Sequence, residues 1–345
     1  MTTRRRGRHK PAEVSHSGHT IRVEFLVLPS PRAVLTAAKR LKGVVRHTPL
    51  RRSDALSKIA GVEVLLKLEC SQLTGSFKIR GAFNAVASMP LAERARGVVA
   101  SSAGNHGLGV AYAAQYFRAP AMIFVPATVP AVKRDGIMRL GARVDNTQPH
   151  YDAAMAAAIA YGEREGMRFL HPCLGDDLLA GQGTVAVEIL EEEPNVQVVI
   201  VPVGGGGLAG GMAGYLRGTA PNVRVLGAQS MATDAMTRSL NAGRVVQIEI
   251  LPTLADGLAG QVDDAALEIG REALDGVEVV TEEDIARAIA WLADKEDLVV
   301  EGSGAVGVAA LMTGALGKLD GPVVVVISGG NIDPERHARL RRGER

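Results

Sequence analysis

Lys78 lies in the run Thr74-Gly75-Ser76-Phe77-Lys78-Ile79-Arg80-Gly81-Ala82, among small and apolar neighbours at the expected start of a helix. Desolvation and a positive helix end both lower an amine's pKa, which suits a lysine that must attack a carbonyl and form a Schiff base. Taken alone, the segment also fits a lysine whose stem packs while its head reaches water. A second feature is the turn Gly204-Gly205-Gly206-Gly207-Leu208, which follows an apolar strand. Glycines let backbone amides approach an anion closely, and the next helix adds its positive end, so the turn reads as a phosphate cradle. A tight turn alone needs only one or two glycines. The same residues spell Gly205-x-Gly207-x-x-Gly210, the dinucleotide fingerprint, but the following strand ends in Gln229-Ser230, not in an acid for ribose hydroxyls. A smaller phosphate ligand fits better. Two more turns, Ser101 to Gly107 and Ser328-Gly329-Gly330-Asn331, are rich in small polar residues.

The elements that must position these turns alternate. Val62 to Glu69, Gly97 to Ser101, Met122 to Pro126, Val196 to Val203, Val223 to Ala228 and Val323 to Ile327 read as strands. Phe77 to Met89, Asn105 to Phe117, Tyr151 to Glu165, Thr184 to Glu192, Glu282 to Ala293 and Ala305 to Leu316 read as helices. Apolar strands separated by helices imply parallel sheets covered on both faces, with ligands bound beyond the carboxyl ends of the strands. At about 150 residues per domain, the 345 residues make roughly two lobes. No linker separates them, so a second lobe is inserted in the first.

Composition narrows the function. The net charge is +2, with the basic residues gathered at Arg4, Arg5, Arg6, Arg8 and Lys10 and again among the last twelve residues, so the body is acidic. With 3% aromatic residues, it offers few rings on which bases could stack, and we expect no nucleic-acid partner. Val198 to Leu216 is long enough to span a membrane but contains seven glycines and Pro202, which fits strand, turn and helix; no membrane association is expected. The N-terminus does not read as a secretory signal. Cys70 and Cys173 are too few for a disulfide framework, which points to the cytoplasm. His47, His150 and His171 show no metal-ligand spacing.

An amine nucleophile, a phosphate cradle and two polar turns together suit a pyridoxal 5'-phosphate site. The segments Lys67-Leu68-Glu69, Gln72 to Ala82, Ser102-Ala103-Gly104-Asn105-His106, Ala180 to Thr184, Pro202 to Leu208 and Ser328 to Asn331 resemble the threonine/serine dehydratase family, in family order from about Leu35 to Asp333. That family has the tryptophan-synthase β-like architecture, fold type II, and includes serine racemase. The resemblance implies an α/β protein of two open parallel-sheet lobes: residues 21–96 plus 175–345 as the large cofactor-binding lobe, 97–174 as a small mobile lobe, and 1–20 as a disordered basic tail.

By resemblance, Lys78 carries the cofactor through its amine and later takes the proton from Cα, and Phe77 packs on the cofactor ring. Gly204, Gly205, Gly206, Gly207 and the Leu208 amide hold the phosphate. Asn105 meets the phenolic oxygen and Ser328 the pyridine nitrogen. Ser102, Ala103, Gly104, Asn105 and His106 take the substrate carboxylate. The implied activity is α,β-elimination: L-threonine, L-serine or a related β-hydroxy amino acid becomes a 2-oxo acid and ammonia. Racemases of the family carry a serine where Ala103 stands, which disfavours the alternative of a serine or aspartate racemase. Cation-dependent members have carboxylates at the positions of Gln229 and Ala235, so no metal is expected. Glu301-Gly302-Ser303-Gly304 has glycine where the family usually has proline, with Glu301 expected near the cofactor. Together with Ala255-Asp256-Gly257-Leu258 it resembles hydroxyectoine-utilisation dehydratases, which opens the alternative of a hydroxyectoine-derived or 3-hydroxyaspartate-like substrate. A homodimer or larger homo-oligomer is common in the family. No regulatory domain is expected after Asn331.

Overall fold

The computed structural model describes residues 9–16, 19–26, 28–129 and 131–344. Its strands are β1 (His9–His16), β2 (His19–Leu26), β3 (Leu50–Arg52), β4 (Val64–Lys67), β5 (Val98–Ser101), β6 (Ala121–Pro126), β7 (Arg143–Gln148), β8 (Arg168–Phe169), β9 (Val198–Pro202), β10 (Arg224–Ser230), β11 (Gly276–Val280) and β12 (Val323–Val326). They form a six-stranded sheet of order β11-β10-β9-β12-β4-β3, a four-stranded sheet of order β7-β6-β5-β8 and the pair β1-β2. All pairings in the four-stranded sheet are parallel, and so are those of the larger sheet except β3 with β4. The four-stranded sheet comes from one continuous stretch of chain, whereas the larger sheet draws strands from both sides of it.

Strand Val323–Val326 is wholly apolar and wholly buried because helices cover both faces of a parallel sheet. Helices Asn105–Phe117 and Tyr151–Glu165 fall on the expected residues. The helix expected over Thr184 to Glu192 instead starts at Asp176, so the Ala180 to Thr184 motif is helical and not a loop. Small residues there serve packing: a Cβ on Gly181 would stand 2.5 Å from the carbonyl oxygen of Arg80. Helix Asp176–Glu192 can therefore lie directly against helix Lys78–Ser88.

The basic tail expected over residues 1–20 needs correction where it is described. Residues 1–8, 17 and 18 lie outside the described residues, but β1 and β2 pair antiparallel, with His9 opposite Leu26 and His16 opposite His19. The run Thr20-Ile21-Arg22-Val23-Glu24-Phe25 alternates with the period of a strand.

In both sheets the strand order reverses at one place. From β9 the chain steps to β10 and β11 on one side, while β12 and β4 lie on the other; from β5 it steps to β6 and β7, with β8 opposite. Such reversals open a crevice at the carboxyl ends of the strands. The Gly204 to Gly207 turn follows β9, and the Ser102 to His106 turn follows β5.

Candidate active site

Helix Lys78–Ser88 begins at Lys78 itself, with Phe77 as its N-cap residue. Ile79 and Arg80 on the same turn are buried. Arg80 anchors that turn: its guanidinium meets both carboxylate oxygens of Glu69 and of Glu188, and Thr184 as well. Lys67 adds a second buried cation, 2.7 Å from Glu188 Oε2. With its neighbours packed away, Lys78 turns its amine toward the carbonyl oxygen of Pro172 at 2.9 Å, with Nζ 5.3 Å from the centre of the Phe77 ring.

The residue after Pro172 joins the lysine to the glycine turn. A Cβ on Gly205 would stand 3.0 Å from Cys173 Sγ, and one on Gly207 would stand 2.9 Å from the Cys173 carbonyl oxygen. Gly206 has φ +80°, a conformation that glycine adopts without strain, and caps helix Gly207–Thr219. The turn is thus a cradle with no side chain to fill it, and the first N–H groups of the helix, which have no intrahelical partner, open onto it. Leu208 is buried beneath. Sequence reasoning does not find Pro172, since nothing local marks a carbonyl that faces a lysine.

The remaining turns close on the same place. A Cβ on Gly109 would stand 3.2 Å from the Lys78 carbonyl carbon, so helix Asn105–Phe117 packs against the start of the lysine helix. In the turn before it, the Ser102 hydroxyl accepts from the Gly104 amide at 3.3 Å, and a side chain on Gly104 would meet open space. Ala103 is half-buried against the apolar core of the smaller sheet. On the other side, the Ser328 carbonyl accepts from the Phe77 amide, Ser76 bridges Gly329, and the buried Ser328 hydroxyl lies 3.4 Å from the Ser303 carbonyl. The structure therefore brings together Phe77, Lys78, Ser102 to His106, Gly204 to Leu208 and Ser328.

His106 is buried, with Nε2 2.9 Å from the Leu170 carbonyl. Burial, and then the Lys78 charge, push its pKa down to about 3, so the ring is neutral and Nε2 carries the proton that the carbonyl accepts. His106 is therefore neutral and no acid at neutral pH. Its Nδ1 and the buried hydroxyls of Thr74 and Ser76 have no hydrogen-bond partner within the protein. Unpartnered buried polar atoms, an amine and an open N–H cradle suit a ligand that carries both an anion and an electrophilic carbon.

Glu301 reaches this site from the N-cap of helix Gly302–Met312 and accepts from Asn105 Nδ2 at 2.6 Å. Burial, reinforced by Asp256, raises its pKa to about 8. A Cβ on Gly302 would overlap the Leu254 carbonyl, so glycine in place of the family's proline lets the Leu254 to Leu258 segment lie close. The Gly257 amide then donates to Ser303 Oγ at 2.9 Å, and Asp256 pairs with Lys133 at 3.0 Å. Elsewhere, Gln229 Oε1 accepts from the amide and hydroxyl of Thr237, and Ala235 is buried. Among the described residues, no three His, Cys, Asp or Glu side chains are placed to hold a metal, and no helix is long and apolar enough to cross a membrane.

The chain is similar to known proteins over most of its length. The chain is 46% identical over 301 residues to L-threonine ammonia-lyase of Thermotoga maritima, a match that covers 86% of this chain and 74% of that protein. The structure of a processed form of threonine deaminase from Solanum lycopersicum superposes with a TM-score of 0.85 at 31% identity, covering 90% of this chain and 87% of the other. That of maize serine racemase gives 0.87 at 29% identity, covering 92% and 98%. The family model described as pyridoxal-phosphate dependent enzyme matches residues 41–329, from before Lys78 to Gly329, and the chain belongs to that family.

Proposed function

We propose that the chain is an ammonia-lyase that converts L-threonine, L-serine or a related β-hydroxy amino acid into a 2-oxo acid and ammonia. The observation that carries this reading is the Lys78 amine, held by the Pro172 carbonyl at the meeting point of the glycine cradle and the polar turns. Pyridoxal phosphate, when bound, supplies an electron sink that acidifies the Cα proton of an amino acid. The cradle from Gly204 to Leu208 suits its phosphate, the Phe77 ring its flat face, Asn105 its phenolic oxygen and Ser328 its pyridine nitrogen.

The turn from Ser102 to His106 opens at the start of a helix and suits the substrate carboxylate, which then meets unpaired N–H groups. Lys78 is the base: its amine takes the Cα proton, the β-hydroxyl leaves as water, and the released enamine hydrolyses to 2-oxo acid and ammonia. Ala103 has no group with which to return a proton to the opposite face of Cα, which supports elimination over racemisation. The Gln229 amide is occupied as an acceptor for Thr237, which supports a metal-independent enzyme. Movement of residues 97–174 over bound substrate, a homo-oligomeric assembly and residence in the cytoplasm complete the proposal. A hydroxyectoine-derived or 3-hydroxyaspartate-like substrate is the second reading, favoured by the Glu301-Gly302-Ser303-Gly304 and Ala255-Asp256-Gly257-Leu258 segments, which lie together through the Gly257 amide and Ser303 Oγ.

The test is the visible absorption spectrum of the purified protein before and after L-threonine, with 2-oxobutanoate assayed in the same cuvette. A cofactor band that changes while product accumulates is expected, and Lys78→Ala should abolish both. A band that persists without product would move the substrate to other β-hydroxy amino acids. No band after reconstitution with pyridoxal phosphate would refute the reading.

A further inference from the structure

Thr74, Asn105, Glu301 and Asn331 come from four separate segments and join in one hydrogen-bonded chain. Asn331 Nδ2 donates to the Thr74 carbonyl at 2.8 Å and to Asn105 Oδ1 at 2.7 Å, and Asn105 Nδ2 donates to Glu301 Oε1 at 2.6 Å. The chain has a fixed direction. A backbone carbonyl can only accept, so the Asn331 atom that faces Thr74 must be the nitrogen. That same nitrogen faces Asn105, whose nearer atom must then be oxygen, and the Asn105 nitrogen is left facing Glu301. Both Asn331 N–H groups are used, whereas Asn105 spends one of its two on Glu301.

Two glycines make room for this chain. A Cβ on Gly75, whose φ is +74°, would overlap the Asn331 side chain. One on Gly329 would overlap the Glu301 carboxyl group and stand 3.1 Å from Asn105 Nδ2. The glycines of the Thr74-Gly75-Ser76 and Ser328-Gly329-Gly330 runs thus clear the path on which the amides meet.

We propose that Asn331 is a positioning residue that fixes the orientation of the Asn105 amide, so that its second N–H is presented to the phenolic oxygen of bound pyridoxal phosphate. The proposal rests on the reading that Asn105 faces the cofactor. Without Asn331, only Glu301 is left to orient the Asn105 amide, and a carboxyl group that keeps its proton can face either the oxygen or the nitrogen, so the donor the cofactor needs is present only part of the time.

A double-mutant cycle on the full chain tests it, with the cofactor dissociation constant and band position read by titrating apoenzyme with pyridoxal phosphate. Asn331→Ala should weaken cofactor binding about five-fold, the worth of one modest hydrogen bond, and should add nothing in an Asn105→Ala background. Asn331→Asp keeps the size but not the donor, and should behave like Asn331→Ala; apoenzyme melting checks that each variant folds. Equal losses in both backgrounds would make Asn331 a mere brace for its loop and overturn the proposal, as would wild-type binding by Asn331→Asp or by Asn331→Ala. If Asn105→Ala itself leaves affinity and spectrum unchanged, the reading of Asn105 as a cofactor contact fails, and the proposal falls with it.

Discussion

Arg80 grips Glu188 with two parallel bonds, Nη1 to Oε1 at 2.7 Å and Nη2 to Oε2 at 2.8 Å, and its other edge meets Glu69 in the same manner. Burial alone would raise the Glu188 pKa, but Arg80 and Lys67 outweigh it and hold the carboxylate below its usual range. A planar guanidinium can meet two carboxylates each with a pair of parallel bonds, a geometry an ammonium cannot offer. Two residues from Lys78, this network ties the start of the lysine helix to helix Asp176–Glu192.

Removing the cation should therefore be costly. Arg80→Met leaves Glu69 and Glu188 buried with only Lys67 to balance them, a loss of about 3–5 kcal/mol. Arg80→Lys should recover little of it. The denaturation midpoint of the apoenzyme measures both, and wild-type stability in Arg80→Lys would show that the fork geometry carries no weight. Because Glu188 is held ionised in the fold, the stability it contributes should be complete above the ordinary carboxylate pKa and decline as pH falls below it.

Gly207→Ala tests the cradle. The added Cβ would stand 2.9 Å from the Cys173 carbonyl oxygen and 3.0 Å from its Cα, both backbone atoms that cannot swing aside. The turn must shift, which spoils the convergence of N–H groups on an anion. Pyridoxal phosphate affinity should fall at least about ten-fold, the equivalent of roughly 1.4 kcal/mol, as read by absorbance titration. Unchanged affinity would place the phosphate elsewhere.

The lysine segment and the glycine turn were legible in the sequence because each is a local run whose chemistry does not depend on distant residues. Phe77, Lys78 and Gly204 to Leu208 could thus be chosen from sequence and resemblance, and the structure brings them together. What escaped were contacts between distant segments. Pro172 meets Lys78 through a bare carbonyl, Asn331 meets Asn105 across 226 positions, and Glu301 meets Asn105 across 196. Arg80 could be recognised only as an ion-pair residue, since its partner Glu188 lies 108 positions away. The pair β1 and β2 is hard to see for a different reason: the alternation that marks a strand lies in Thr20 to Phe25, whereas its partner His9–His16 carries mostly charged and polar residues around Pro11 and Val14.

Ser328→Asp tests how the pyridine nitrogen is met. A hydroxyl does not stabilise a protonated ring, whereas a carboxylate does, so the substitution should let negative charge at Cα persist longer. Turnover should then shift from elimination toward side reactions such as transamination, seen as a rise in the aminated form of the cofactor per molecule of 2-oxo acid formed. Unchanged partitioning would remove Ser328 from that role.

Glu301 should leave a signature in the pH dependence of stability. Its pKa is raised to about 8 from an ordinary 4.5, first by burial and then by Asp256. Between those values the folded protein holds a proton that the unfolded chain has released, so the contribution is complete below pH 4.5 and is lost as pH rises toward 8, at about 1.4 kcal/mol per pH unit. Glu301→Gln resembles the protonated acid in shape and does not titrate. Its apoenzyme should therefore gain on wild type steadily over that window and hold a constant advantage above it. Asp256→Asn should narrow the window, because one of the charges that disfavours ionisation is gone. Melting temperatures of the three proteins from about pH 5 to 9 provide the comparison. A constant difference between Glu301→Gln and wild type would mean that Glu301 is ionised throughout, with Asn105 and the nearby lysines holding its charge against burial.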